Sequence, residues 1–319
     1  MQTYLKTRPV WIQLLLFMGM AFGVFLVVSM IGVFILSKMT GIDVLAIRDV
    51  ESWDASNPNI IIYIRGLLLI QFVALFVLPT LLFGYFSDPR PADYLGLKAP
   101  VKAGYWVLGV AALILAIPFV DLMGVLNQKL AFGQAQNYFR TMEEQATKQI
   151  QFMLSRHTPF ELVMNLIYIA LFAGVGEELF FRGVLQRLFI RATQNPWMGI
   201  VITAAVFSAF HFQFFGFIPR FLLGILLGAI YWYSGSLLTA MLAHFFYDGF
   251  MIVLVYFNPK MIENVDATLM QESTALLVVY GIISLGLVLL LIRAMQRLSP
   301  VSLQQFNERQ QEGIETSDY

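Results

Sequence analysis

Apolar residues along the chain are gathered into long runs that are separated by short polar segments. About eight runs are candidates for crossing a membrane, since a helix needs roughly 20 apolar residues to span the hydrocarbon core. They cover residues 11–36, 66–85, 105–125, 160–188, 196–211, 219–233, 236–257 and 275–295. None alternates apolar and polar positions as outer-membrane strands do. The pattern predicts an all-α fold, a polytopic membrane bundle of about eight transmembrane helices.

Residues at the boundaries of the runs support the helical assignment. Thr158-Pro159 precedes the fourth run and Asn195-Pro196 opens the fifth, and each places a capping residue before a proline in the first turn. Two prolines inside the second and third runs are expected to kink those helices. The first run is longer than the ~7–15 apolar residues of a cleavable signal peptide, and we interpret it as a retained first span.

The runs divide the chain into five segments. Residues 1–125 hold the first three predicted transmembrane helices, 159–260 the next four and the candidate chemistry, and 261–297 the last one. Residues 126–158 carry apolar side chains at helical spacing. We interpret them as an amphipathic helix on the membrane surface, with a lid over a site as the alternative. Residues 298–319 are polar and are predicted to form a frayed tail.

Composition agrees with a membrane protein. Of 319 residues, 59% are hydrophobic and 13% are charged, whereas soluble domains have roughly 25% charged residues. The formal net charge of zero argues against a nucleic-acid partner. The absence of cysteine excludes disulfides, thiolate nucleophiles and cysteine metal sites. The distribution of lysine and arginine favours cytoplasmic termini, and the short loops favour a multi-pass protein of a bacterial inner membrane, with the lipid bilayer as its surroundings.

Three charged residues interrupt the fourth run. Glu177, Glu178 and Arg182 would each cost about 2.5–3.5 kcal/mol at the centre of a membrane helix without compensation. Glu178 and Arg182 are four residues apart and can pair on one helical face. Glu177 is rotated by about 100° from Glu178 and has no partner in its own helix. An ion-pair cluster that only fixes packing is an alternative, but it leaves Glu177 unexplained.

Histidines on two later runs can reach the depth of Glu177. His211 ends the fifth run, and His244 precedes Asp248 by four residues on the seventh run, so the imidazole and this carboxylate share a helical face. From the helical rise, Glu177 and His211 lie roughly 20–24 Å from one side of the membrane, and His244 and Asp248 lie roughly 12–18 Å from it. Singly, His211 could be an interfacial residue and His244 could make a structural hydrogen bond. Their agreement in depth predicts one wet pocket shared by three helices.

The ordered motifs resemble those of the CPBP intramembrane proteases, a family that includes the Rce1-type CAAX prenyl endopeptidases and the Abi proteins. The resemblance rests on Glu-Glu-x-x-x-Arg at 177–182, Phe-x-x-x-His at 207–211 and His-x-x-x-Asp at 244–248. It covers roughly residues 155–260. It implies hydrolysis of a peptide bond inside the membrane.

The resemblance also implies roles for the motif residues. These are activation of a water by Glu177 and His211, binding of the scissile carbonyl and its oxyanion by His244 and Asp248, and support of the site by Glu178 and Arg182. Glu177, His211, His244 and Asp248 carry nitrogen and oxygen ligands that zinc accepts, and zinc would lower the pKa of a bound water to ~7. A zinc-dependent and a metal-free glutamate mechanism are equally open.

Three functions are compatible with charged residues inside membrane helices. The favoured one is an intramembrane endopeptidase that cleaves a membrane-associated protein or peptide. The alternative is a non-proteolytic relative that binds a peptide or a membrane partner, as a scaffold or an immunity protein. A proton-coupled transporter is disfavoured because the chain lacks two pseudo-symmetric halves. Other intramembrane proteases fit poorly, since the sequence has neither His-Glu-x-x-His nor Gly-x-Gly-Asp.

Overall fold

A computed structural model describes residues 4–45, 47, 50, 53–54, 56–130, 133–263 and 274–311. Within these ranges the regular structure is helical and no strand occurs. The helices are α1 (Val10–Thr40), α2 (Pro58–Ser87), α3 (Pro91–Leu95), α4 (Gly104–Gln128), α5 (Gln136–Leu154), α6 (Pro159–Thr193), α7 (Pro196–Ala209), α8 (Phe217–Ser234), α9 (Leu237–Phe257), α10 (Lys260–Glu263), α11 (Thr274–Leu298) and α12 (Leu303–Gln311). The predicted all-α class is confirmed.

Seven helices in the described part of the chain are long and apolar enough to cross a membrane. They are α1, α2, α4, α6, α8 with the turn that precedes it, α9 and α11. The predicted fifth span is α7, which has 14 residues and is therefore only about 21 Å long. The chain is thus a multi-pass integral membrane protein, as predicted, and α7 is too short to cross a ~30 Å core upright on its own.

The second helix begins earlier than predicted. Its start moves from residue 66 to Pro58, where Asn57 accepts a hydrogen bond from the backbone of Asn59 at 2.9 Å. Arg65, whose charge limited the apolar run in the sequence, is buried and pairs with Glu161 at the start of α6. A compensated charge does not have to leave the bundle, so the helix continues past it.

The two predicted helix starts are confirmed by their side-chain caps. Thr158 accepts a hydrogen bond from the backbone N–H of Glu161 at 3.2 Å. Asn195 accepts from the backbone N–H groups of Trp197 and Met198 at 3.0 and 3.2 Å. These contacts satisfy donors that the first turn of a helix leaves unpaired.

The break that proline introduces in α4 is repaired by another helix. Pro118 lies inside α4. Beside it, the hydroxyl of Ser284 on α11 donates to the carbonyl of Leu115 and accepts from the N–H of Phe119 at 3.3 Å. A hydroxyl that enters the backbone ladder in this way satisfies groups that would otherwise face hydrocarbon. α4 also packs against α8 and α9, which places it on one side of the site.

Segment 126–158 contains the predicted amphipathic helix, which is α5. The ring of Phe139 lies 4.3 Å from the ring of Phe214, in the turn before α8. Glu143 lies 3.9 Å from Arg220 of α8. Helix α5 therefore packs against the first turn of α8 and the turn that precedes it. Its location on a membrane surface stays a prediction.

The prediction of a frayed tail is wrong for α12. Its Phe306 packs on Trp232 of α8, with 5.7 Å between the ring centroids, and this burial of apolar surface holds the helix on the bundle. Residues 312–319 of the predicted tail, and residues 264–273 of the predicted segment 261–297, lie outside the described residues. The five-segment division itself stays a prediction.

Candidate active site

A cavity of about 380 Å³ lies between α4, α6, α8 and α9. The charged and imidazole side chains on its wall are Asp121, Glu177, His211, Arg220, His244 and Asp248. These include all four groups that the sequence predicts to share a pocket. Their predicted convergence is confirmed, and their chemical roles stay predictions.

Helix α6 is unusual around the two glutamates. Stretches of wider π-helical turns, Leu166–Leu171, Ala173–Glu177 and Phe181–Gln186, surround the single α-helical turn Glu178–Phe180. Such turns are frequent at functional sites. A Cβ atom on Gly174 would lie 2.9 Å from the backbone nitrogen of Phe245 on α9. Only glycine permits this approach, which brings His244 against α6.

Glu178 is the centre of a fully buried cluster. Its Oε1 accepts hydrogen bonds from Arg182 Nη1 at 2.6 Å and from His244 Nδ1 at 2.9 Å. Arg182 Nη2 donates to the carbonyl of Gly224 on α8 at 3.1 Å, and its guanidinium lies 4.6 Å from the ring of Phe207. The predicted Glu178–Arg182 pair is confirmed, and it connects α6 to α8 and α9.

His244 has a carboxylate on each side of its ring. Nδ1 bonds Glu178, and Nε2 lies 3.4 Å from Asp248. Because a carboxylate oxygen accepts, Nδ1 carries a proton and Nε2 is the nitrogen that faces the cavity and Asp248. Sequence reasoning considered Asp248 as the group that orients this imidazole. The shorter contact belongs to Glu178, which sequence reasoning had paired with Arg182 alone.

Glu177 and His211 face each other across a gap. Oε1 of Glu177 and Nε2 of His211 are 3.9 Å apart, which is too far for a direct hydrogen bond and suits one bridging water. His211 Nδ1 lies 2.9 Å from the carbonyl of Phe207. Since a carbonyl only accepts, Nδ1 is the donor, and Nε2 of the neutral ring offers its lone pair to the gap.

Sequence reasoning missed Arg220 and the residue that supports its loop. Arg220 lines the cavity and donates to the backbone carbonyl of Gln213 at 3.0 Å. Asn127 of α4 donates to the carbonyl of Phe214 at 2.8 Å and accepts from the N–H of Ile218 at 2.9 Å. These bonds hold the turn that follows His211. The only local signal was a charge near the start of the sixth run.

One carboxyl group beside Arg220, that of Glu143, has a shifted pKa. Burial raises the pKa of Glu143 on α5, and the positive charge of Arg220 opposes the shift without cancelling it. Glu143 therefore keeps its proton to higher pH than an exposed glutamate. The contact between α5 and α8 is sensitive to the protonation of this residue.

The four predicted zinc ligands do not form a metal site in this arrangement. Among the described residues, no group of three or more histidine, aspartate or glutamate side chains is placed to hold one ion. Nε2 of His211 faces Glu177 and Nε2 of His244 faces Asp248, so the two imidazoles do not meet at one carboxylate. The zinc-dependent and the metal-free mechanism both stay predictions.

The catalytic-type motifs and their geometry lead to a known family. Residues 159–250 match the type II CAAX prenyl endopeptidase Rce1-like family. The resemblance that the motifs indicate is thereby confirmed for this segment, which contains every residue of the three motifs. The family is one of proteases, and the match supports a CPBP-type peptidase at the level of the family.

Two relatives that match part of this chain occur in bacteria. An uncharacterized protein YpbD of Bacillus subtilis is 29% identical over 100 residues, which are 30% of this chain and 48% of the relative. An uncharacterized 24.3 kDa protein of Escherichia coli is 31% identical over 88 residues, which are 26% of this chain and 41% of the relative. The chain thus spans less than half of the length of these relatives. No solved structure matches it.

Proposed function

We propose that the protein is an intramembrane endopeptidase that hydrolyses a peptide bond of a membrane-associated protein or peptide. The observation that carries the proposal is the 3.9 Å gap between Glu177 and His211 on the wall of the cavity. A water in this gap can donate one hydrogen bond to the carboxylate and the other to the imidazole. The Rce1-like match supports a peptidase as the class of enzyme.

In the proposed reaction Glu177 is the general base. Its carboxylate takes a proton from the water while the water oxygen attacks the carbonyl carbon of the scissile bond. The carbonyl oxygen becomes an oxyanion, the carbon–nitrogen bond then breaks, and the proton on Glu177 passes to the leaving amine. The products are a new carboxyl terminus and a new amine, so atoms and charges balance.

The oxyanion needs donors on the opposite side of the attacked carbon. His244 Nε2 faces the cavity, and it can donate when both ring nitrogens carry protons. Glu178 and Arg182 would act as positioning residues, since they contact the ring and the neighbouring helix but do not line the cavity. Donors fixed in advance in a site of low polarity stabilise developing charge strongly.

We place the substrate and the enzyme in a bacterial cell membrane. The cavity lies within the spanning helices, so a substrate must be membrane-inserted or carry a lipid to reach it. The two bacterial relatives support this cellular setting. A peptide with a C-terminal CAAX sequence, with and without a prenyl group, is the first substrate to test.

Cleavage is tested with the purified full-length chain in liposomes and with these two peptides. The reaction is run in water enriched in oxygen-18, and the new carboxyl termini are analysed by mass spectrometry. Wild-type protein should incorporate the label. Glu177→Gln and His211→Ala should slow cleavage by about 10²–10⁴-fold, the usual contribution of acid–base catalysis. Glu144→Gln changes an exposed glutamate of α5 and is the matched control.

The same variants separate cleavage from binding. Undiminished cleavage in Glu177→Gln, His211→Ala and His244→Ala would contradict the proposal. If the Glu177→Gln variant fully rescues a strain that lacks the gene, the cavity acts as a binding site without turnover. The scaffold or immunity alternative is then favoured.

A further inference from the structure

A second cavity, of about 410 Å³, lies at the opposite end of the bundle. It is bordered by Gly96 and Lys98, which precede α4, whereas the catalytic cavity is bordered by Asp121 and Gly124 in the second half of α4. Its walls come from the ends of α2, α6 and α8 and from α12. These helix ends lie where the lipid headgroups meet a membrane protein.

The deepest cation of this cavity is Arg187 on α6. It is 9% exposed, and its Nη1 donates to the hydroxyl of Tyr231 at 3.2 Å. The guanidinium lies 4.7 Å from the ring centroid of Tyr94 and 5.4 Å from that of Phe306. Its Nε is buried and has no hydrogen-bond partner. Among the described residues Arg187 forms no ion pair with a carboxylate.

The two acidic residues on the cavity wall already have cationic partners. Asp88 lies 2.9 Å from Lys6, and Asp93 lies 3.6 Å from Arg90. Arg182, one and a half turns earlier on α6, also has a buried Nε without a partner, but it differs in having the carboxylate of Glu178 at 2.6 Å from Nη1. Arg187 is therefore a buried cation that no carboxylate contacts among the described residues, and Asp88, which is paired with Lys6, acts on its charge only from beyond ion-pair distance.

A buried guanidinium without a carboxylate in direct contact is stabilised by an anion placed beside it. A guanidinium binds phosphate oxygens with two parallel hydrogen bonds, and Nε is one of the donors of that fork. The cavity adds Lys98 at its wall and the apolar surfaces of Trp232 and Val301. This combination fits a phosphate group attached to an apolar body.

We propose that the second cavity binds a phosphate group through Arg187, as part of a phospholipid headgroup or as free phosphate. The site is independent of the proposed protease activity, because Arg187 does not line the catalytic cavity. Basic pockets between membrane helices commonly recognise lipid headgroups. Helix α12 completes the site, since Phe306 covers the guanidinium.

Binding is tested with the full-length chain in a non-ionic detergent. Trp232 borders the cavity, so tryptophan fluorescence is recorded during titration with inorganic phosphate and with dihexanoyl phosphatidylglycerol, each at constant ionic strength. Saturable binding of the lipid alone identifies a headgroup site, and equal binding of inorganic phosphate identifies a free-phosphate site. Arg187→Gln should weaken the binding of either probe at least tenfold. No saturable binding of either probe would overturn the proposal.

A second pair of variants keeps the test decisive if Arg187→Gln does not fold. Gln305 and Gln304 are both exposed on α12, but only Gln305 borders the cavity. Gln305→Glu introduces a negative charge at the site and should weaken binding severalfold without lowering the thermal midpoint. Gln304→Glu makes the same charge change outside the cavity and should bind as wild type. Equal affinities in wild type and Gln305→Glu would contradict the proposal.

Discussion

Two glutamates that are adjacent in the sequence have opposite surroundings. Glu178 is fully buried, and one of its oxygens is shared by Arg182 and His244 at 2.6 and 2.9 Å. Glu177 lines a cavity and faces His211 across 3.9 Å. The first carboxylate is hydrogen-bonded directly within the protein, whereas the second is too far from its neighbour for a direct hydrogen bond and borders the cavity.

This difference gives two neighbouring residues separate tasks. Glu178 is suited to hold the helices together, and Glu177 is suited to act as a base. A carboxylate that already accepts two charge-assisted hydrogen bonds is poorly suited to take a further proton, because it would lose both partners. A carboxylate that borders a cavity can act as a base without the loss of a hydrogen bond between helices. Both pairs consist of a glutamate of α6 and a histidine from a later part of the chain, so residue type alone does not distinguish them.

The largest expected effect on stability comes from removing Glu178. Glu178→Ala leaves Arg182 buried without its partner, and breaking such a pair typically costs 3–5 kcal/mol. Glu177→Ala should change stability far less, since Glu177 has no direct hydrogen bond to lose. Thermal unfolding of both variants in the same detergent measures the contrast. Equal losses of stability would show that both glutamates are structural.

A smaller effect is expected from the packing that holds the buried cluster. A Cβ atom on Gly228 of α8 would lie 2.7 Å from Gln186 Oε1 and 2.9 Å from Ile200. Gly228→Leu should therefore push α8 away from α6 and destabilise the protein by about 1–3 kcal/mol. Gly286→Leu on α11 is the matched control, because nothing lies within 4 Å of its Cβ position. A tolerated Gly228→Leu would contradict the close contact of α6 and α8.

The smallest effect concerns an ion pair outside the spanning segments. Burial raises the pKa of Asp88, but the hydrogen bonds from Lys6 and from the backbone of Arg90, with their positive charges, outweigh it and hold this pKa below its ordinary value of 3.8. A lowered folded-state pKa gives stability that is present above the ordinary value and is lost as pH falls below it.

Asp88→Asn should accordingly lower the thermal midpoint slightly near neutral pH and reduce its fall in acid. Asp93→Asn removes a more exposed carboxylate, with 56% of its side chain accessible, and should keep the wild-type acid dependence. Thermal midpoints measured from neutral pH down to about pH 3 compare the variants. An identical acid dependence in Asp88→Asn and wild type would show that the pair contributes nothing.

Much of the candidate site could be predicted because its parts are local. The four-residue spacings of Glu178 to Arg182 and of His244 to Asp248 place each pair on one face of its own helix. The rise of an α-helix predicts a similar depth for Glu177 and His211. The contact between His244 and Glu178 was not predicted, because it depends on how closely α9 approaches α6. Gly174 and the π-helical turns of α6 decide that approach.

Other features had no readable local signal. Arg220 reaches the cavity only because Asn127, nearly a hundred residues earlier, holds the turn before α8. The tail looked too polar to be ordered, yet Phe306 of α12 packs on Trp232 of α8. The second cavity arises from the ends of several helices and from this docked segment, so no stretch of sequence contains it.

The sequence alone determined the helical class, the approximate positions of the apolar helices, the capped helix starts and the identity of the motif residues. These follow from hydropathy, length and hydrogen bonding within a few residues, which are properties of single helices. Only the tertiary structure decided which histidine meets which glutamate, and which arginine lacks an acidic partner. Those outcomes depend on distances between helices, and small residues and irregular turns set such distances without a periodic pattern in the sequence.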